Sequence, residues 1–242
     1  MDNLNQYLHI RESTVDIMVL TSIQVAVESL RSGHPILILD DEIEGEGDVC
    51  IPAQIATPQA INFMVTACRG IVCQPITSEI ASRLDLPLMV PNGGSPAFTI
   101  SVDAVGVGSG TSAYDRSYTA RMIANPDTTT SDLIKPGHIF PIISRQGGVL
   151  ERAGHTEASS DIVQLAGFLP STVICEVMDD YGHMAGVETL RKFAQRYNMP
   201  IITIRDIIEF RRHFDDRVIT FKNTLLEQPL IEDSKRGNGR HK

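Results

Sequence analysis

Short apolar runs alternate with helix-like segments along most of this chain, and that alternation limits its fold more than any other feature. Pro35 to Leu39 is a continuous apolar run, Thr172 to Val177 is a largely apolar run interrupted by Glu176, and Ile71 to Cys73 and Pro200 to Ile204 are two more apolar stretches. The first two read as strands buried on both faces and the other two as strands. Phe98 to Val105 reads as a strand from the alternation of Phe98, Ile100 and Val102. Between the strands lie residues at helical spacing: Ile23, Ala26, Val27 and Leu30, then Ile61, Met64, Val65 and Cys68, then Leu190, Phe193, Ala194 and Tyr197. Shorter helices are expected at Thr77 to Leu84, Ser159 to Ala166 and Asp206 to Arg212. The punctuation agrees. Thr21 can cap the first helix and Gly33 stop it. Pro58 opens the second and Gly70 ends it. Ser112 and Asp115 have capping-box spacing, and Asn125-Pro126 closes the helix they begin. Pro126 to Gly137 reads as a polar loop. Strands that feed helices in this order make an α/β fold.

A chain of 242 residues with 42% hydrophobic content suits one domain with a substantial core. The boundaries expected are a leader over 1–15, the domain over 16–213, and an extension over 214–242 whose last ten or so residues have nothing to bury. The net charge of −9 argues against nucleic acid or an anionic membrane as partner. An anionic substrate must then be held by a local basic cluster. No apolar run approaches the roughly 20 residues that span a bilayer. The N-terminus lacks the basic start and apolar stretch of a signal peptide, so a cytoplasmic location is expected. Cys50, Cys68, Cys73 and Cys175 form no C-x-x-C pair and lie in or beside apolar stretches, which suggests buried thiols rather than disulfides or zinc.

Several segments could carry chemistry. Asp40, Asp41, Glu42, Glu44, Glu46 and Asp48 follow a buried strand, with Gly45 and Gly47 interleaved. The cluster is either a solvated acidic turn or a cation site. It sits where open α/β sheets place ligands, and crowded carboxylates repel unless a cation neutralises them. Mg²⁺ or Mn²⁺ fits oxygen donors best. Arg152-Ala153-Gly154-His155-Thr156-Glu157 supplies a guanidinium for a phosphate, a hydroxyl, and an imidazole able to bind metal. His138, after Pro136-Gly137, is a proton-transfer group or a turn histidine bonded to backbone. Glu176 interrupts an apolar strand, where a carboxylate is costly unless paired or tuned for catalysis. Gly106 to Gly110 could hold an anion on backbone N–H groups, or could simply be a tight turn.

Taken together these segments resemble 3,4-dihydroxy-2-butanone 4-phosphate synthase, an enzyme family of riboflavin biosynthesis. The resemblance rests on E-G-E-G-D at Glu44 to Asp48, L-D-L-P at Leu84 to Pro87 and S-A-Y-D-R at Ser112 to Arg116. It rests equally on P-G-H-I-F-P at Pro136 to Pro141, G-G-V-L-E-R-A-G-H-T-E-A at Gly147 to Ala158, and C-E-V-M-D-D at Cys175 to Asp180. It implies a single-domain, three-layer α-β-α sandwich with a mixed sheet. The implied reaction converts D-ribulose 5-phosphate to 3,4-dihydroxy-2-butanone 4-phosphate and formate. A homodimer using Mg²⁺ or Mn²⁺ is implied, with sites near the subunit interface. By motif, Glu44 and His155 correspond to metal ligands and His138 and Glu176 to the catalytic pair. Glu44, Glu46, Asp48, Cys73, Arg152, Ala153, Gly154 and Thr156 correspond to substrate contacts. The loop departs from the family's usual D-D-E-D-R-E-N-E-G-D: Ile43 stands for Arg and Gly45 for Asn. Arg69 replaces a small residue, and its charge is a candidate to offset the loss at Ile43. These departures leave room for a related sugar-phosphate reaction with another product. The extension resembles the linker that precedes a GTP cyclohydrolase II domain in two-domain homologues. That domain is not expected in this chain, since few residues remain and no zinc-binding cysteine cluster occurs.

Overall fold

The computed structural model describes residues 14–40, 45–91 and 96–213. Its strands are β1 (Ile36–Leu39), β2 (Gly47–Pro52), β3 (Cys73–Ile76), β4 (Val102–Ala104), β5 (Leu133–Ile143), β6 (Thr172–Glu176) and β7 (Ile201–Thr203). They form one sheet in the order β4-β5-β3-β6-β2-β1-β7. The β1–β7 and β3–β5 pairs are parallel and the others antiparallel, so the sheet is mixed. The helices are α1 (Thr14–Arg31), α2 (Pro58–Phe63), α3 (Ser78–Arg83), α4 (Ala113–Ala124), α5 (His155–Leu165), α6 (Val187–Arg196) and α7 (204–213).

Side-chain alternation along the strands divides the apolar residues between two cores. Leu37, Leu39, Val49, Ile51, Val173 and Cys175 face α2, α3, α4 and α6. Ile36, Ile38, Cys50, Cys73, Ile174 and Ile202 face α1, α5 and α7. The result is an α/β fold, as the alternation of elements predicts, in the three-layer α-β-α form that the family resemblance implies.

Local chemistry explains most boundaries. The Thr57 hydroxyl accepts the Ala60 N–H at 3.1 Å and Pro58 takes the first helical position, which starts α2. The Ser112 hydroxyl accepts the Asp115 N–H at 3.0 Å and starts α4. Gly33, at φ 78°, turns the chain out of α1.

Several expectations need correction. Helix α1 begins at Thr14, so Thr21 lies inside it. Val65 is 39% exposed because α2 passes into a π-helical turn over Met64–Cys68, whose extra residue rotates that position outward. Arg69, at φ 73°, takes the left-handed position after that turn, one residue before Gly70. The polar loop expected to reach Gly137 is strand from Leu133 onward, because Leu133 and Ile134 pair with Ala104 and Asp103 of β4. Helix α5 starts at His155, four residues before Ser159, so the motif residues form its first turn. Of the expected leader and extension, 1–13 and 214–242 lie outside the described residues.

Candidate active site

Cross-strand register brings three of the sequence-selected residues together. Asp48 on β2 lies directly opposite Glu176 on β6. Cys73 on β3 is paired with Ile174, one same-face position away from Glu176. All three point toward α1 and α5. Burial pushes the Cys73 thiol well above its ordinary range, and the Glu176 and Asp48 carboxylates push it further, as their closeness requires. All four cysteines are free and buried.

The Glu176 carboxylate is held from below. Its Oε2 accepts the Ile71 N–H at 2.8 Å. Gly70 presses on the same residue: a Cβ there would lie 2.5 Å from both the Glu176 carbonyl oxygen and Oε2. Only glycine admits that approach. Glu46 sits at the end of the β1–β2 hairpin, where its carbonyl accepts the Asp40 N–H at 3.0 Å. The hairpin therefore opens at the end of the sheet that carries Asp48 and Glu176. Its tip, including Glu44 and Ile43, lies outside the described residues.

His138 stands on β5, two residues before Phe140, the partner of Cys73. Its Nδ1 lies 2.8 Å from Oδ2 of Asp103, and its N–H donates to Oδ1 of the same carboxylate at 2.8 Å. Asp103 is 7% exposed and the His138 side chain 44%. This two-point grip fixes the ring and makes Nδ1 the donor, which leaves Nε2 for proton exchange. Sequence reading missed Asp103. The signal was present, since Asp103 interrupts an apolar strand just as Glu176 does.

Arg152, Ala153, Gly154, His155 and Thr156 lead into α5, which crosses β1, β2, β3 and β6 on the face that carries Asp48, Cys73 and Glu176. Arg152 is fixed at both ends. Its N–H donates to the Gly148 carbonyl at 3.1 Å, and its guanidinium contacts Glu157 at 2.8 Å. Glu157 is 1% exposed. The Gly148 turn is itself locked: Asp161 accepts the Val149 N–H at 3.0 Å and pairs with Arg211 at 2.8 Å, and Arg211 also reaches the Gly147 carbonyl at 3.0 Å.

Two sequence readings fall away. The Gly108 and Gly110 N–H groups donate to the Asp115 carboxylate at 3.4 and 3.2 Å, so the glycine loop already holds an internal anion. Arg69 donates to the Asp179 carbonyl at 2.7 Å and pairs with Asp180 at 2.9 Å, which commits its charge to the loop after β6.

This combination of motif and geometry has relatives. The sequence model of the family described as 3,4-dihydroxy-2-butanone 4-phosphate synthase matches residues 24–210. The chain belongs to the 3,4-dihydroxy-2-butanone 4-phosphate synthase family. It is 46% identical over 215 residues to the riboflavin biosynthesis protein RibBA of Aquifex aeolicus, covering 86% of this chain and 53% of that protein. It is 46% identical over 212 residues to the 3,4-dihydroxy-2-butanone 4-phosphate synthase of Helicobacter hepaticus, covering 84% of this chain and 60% of that protein. The chain thus spans less than two thirds of the length of either. Among solved structures, the Candida albicans synthase superposes with a TM-score of 0.74 at 37% identity, over 78% of this chain and 96% of that one. A synthase of the family in complex with two magnesium ions superposes with a TM-score of 0.75 at 35% identity, over 80% and 97%.

The donors at this site suit a hard divalent cation. Burial raises the Cys50 and Cys73 thiols and keeps them protonated, which removes sulfur from the set. What remains is the carboxylates of Asp48 and Glu176, with Glu46 at the hairpin end and His155 at the start of α5. Oxygen donors with one nitrogen are what Mg²⁺ or Mn²⁺ accepts. Among the described residues no three His, Cys, Asp or Glu side chains converge as a ready-made cluster.

Proposed function

We propose that the protein converts D-ribulose 5-phosphate to 3,4-dihydroxy-2-butanone 4-phosphate and formate with a divalent metal, Mg²⁺ or Mn²⁺. The observation that carries this reading is the pairing of Asp48 with Glu176 on the sheet face crossed by α5, whose first turn follows Arg152. In this reading Arg152 and Thr156 hold the phosphate, with the backbone of Ala153 and Gly154 beside them. Asp48, Glu46 and Cys73 contact the sugar. Glu176 and the Asp103-oriented His138 move protons in opposite directions. Glu44 and His155 hold the metal, which when bound polarises the substrate carbonyl. The phosphate contacts keep the reacting carbons in place through dehydration, carbon migration and formate release. A different product from a similar sugar phosphate is not favoured, since the relatives from Aquifex aeolicus and Helicobacter hepaticus bear riboflavin-biosynthesis or synthase names.

Formate release from ribulose 5-phosphate tests the reading. The purified protein is expected to release one formate per substrate consumed with Mg²⁺ present, and to stop when the metal is chelated and resume on its return. Folded protein that releases none would defeat it.

The homodimer has support of its own. Val105 and Ile134 are each 50% exposed and Tyr114 is 70% exposed, on or beside the elements that carry Asp103 and His138. Strand β4 is also an edge of the sheet. Light scattering is expected to read twice the chain mass, and a monomer at micromolar concentration would remove the dimer from the proposal.

A further inference from the structure

Arg145 lies just beyond β5, outside the motifs that carry the family resemblance. Its N–H donates to Oε1 of Glu157 at 3.0 Å. The other oxygen of Glu157 is paired with Arg152 at 2.8 Å. One buried carboxylate therefore ties the two arginines together, and Arg145, Arg152, Thr156 and Glu157 line a common pocket walled by Ile142 and Ile143. The difference between the two guanidinium groups is in their charge balance. That of Arg152 is offset by Glu157, whose side chain is 2% exposed. That of Arg145 is exposed and has no hydrogen-bond or ion-pair partner among the described residues.

A sugar phosphate carries close to two negative charges at neutral pH. Arg152 and Glu157 together bring almost none to meet them, so an uncompensated guanidinium on the same pocket would add directly to phosphate binding. Arg69 cannot serve, being engaged with Asp179 and Asp180. We propose that Arg145 is a second phosphate-binding guanidinium of this site, supplying the charge that Glu157 removes from Arg152 and selecting phosphorylated over free sugars. The inference rests on the sugar-phosphate reading and adds a residue to it. Glu157 has a double part in this arrangement: it fixes the direction of Arg152 and places the backbone from which Arg145 reaches the same ligand.

The test uses the full chain, with inorganic phosphate as a calorimetric probe and ribulose 5-phosphate as substrate. A lost charge-assisted contact corresponds to roughly tenfold in affinity. Arg145→Ala is expected to weaken phosphate binding and raise KM by about that factor, with kcat little changed, since contact to a remote phosphate is uniform binding. Arg145→Lys should recover part of the loss, as it keeps the charge without the planar fork. A merely structural role would lower Tm without this split. Unchanged phosphate affinity and KM in folded Arg145→Ala would overturn the proposal, even with the wild type fully active. If the wild type binds phosphate through Arg145 yet releases no formate, this inference stands and the proposed reaction falls. If the wild type binds neither phosphate nor the sugar phosphate, both fall.

Discussion

Glu176→Gln is expected to lower kcat for formate release by about 10²–10⁴-fold, the range in which a positioned acid–base group acts, with Tm unchanged or slightly raised. The two halves of that expectation have separate causes. Gln has the same shape, and its carbonyl oxygen can still accept the Ile71 N–H that now bonds Oε2 at 2.8 Å. It also ends the repulsion between Glu176 and Asp48, directly opposite on β2; like charges so placed destabilise a sheet by a few tenths of a kcal/mol to about 1. What Gln cannot do is take and return a proton. Asp48→Asn makes the contrast. Assigned to the sugar rather than to proton transfer, it should raise KM more than it lowers kcat. An active Glu176→Gln enzyme would return Glu176 to the structural role that its place in an apolar strand also allows.

How far the sequence could be read depended on whether the deciding interaction was local. Strands β1 and β6 are legible because Ile36–Leu39 is a buried, unbroken apolar run and β6 is buried and mostly apolar up to Glu176, the residue that interrupts it. The capping of α2 and α4 is legible because donor and acceptor lie three residues apart. Strand β5 was not, because Pro136 and Gly137 read as a turn while the reason for a strand lies in β4. Val65 was misplaced because a π-helical turn shifts the helical period by one residue, which leaves no mark in composition. In the site, motif likeness supplied His138, Arg152 and Glu176. It did not supply the contacts that aim them: Asp103 is 35 residues from His138 in sequence, and Ile71 is 105 residues from Glu176. Glu157 was visible as a carboxylate in the motif, but its hold on Arg152 and Arg145 emerges only once α5 is laid against the end of β5.

Gly137→Ala is the substitution expected to cost the fold most and to show how the fold serves the site. A Cβ at this position would overlap the Val102 carbonyl carbon and oxygen and the Asp103 nitrogen. These are backbone atoms of β4, so no side-chain rotation relieves the clash. Glycine is needed at this point for close approach, since Gly137 is not among the glycines with positive φ. The register shift between Val102 and Asp103 marks where β4 has already bent to accommodate β5. Forcing the strands apart should destabilise the protein by about 3 kcal/mol or more, at the upper end for an overpacked core. It should also move Asp103, whose carboxylate holds both the N–H and the ring of His138. Denaturant unfolding reads the first effect, and kcat of whatever fraction still folds reads the second. Gly186→Ala, at the N-cap of α6 where a Cβ meets nothing within 4 Å, is the control and should cost no more than about 1 kcal/mol and leave kcat unchanged. Should Gly137→Ala match that control in stability, the close packing of β4 on β5 would be wrong, and with it the placement of the Asp103–His138 pair. Should it lose stability but keep full kcat, the strands would be packed as described and His138 would not need Asp103 to act.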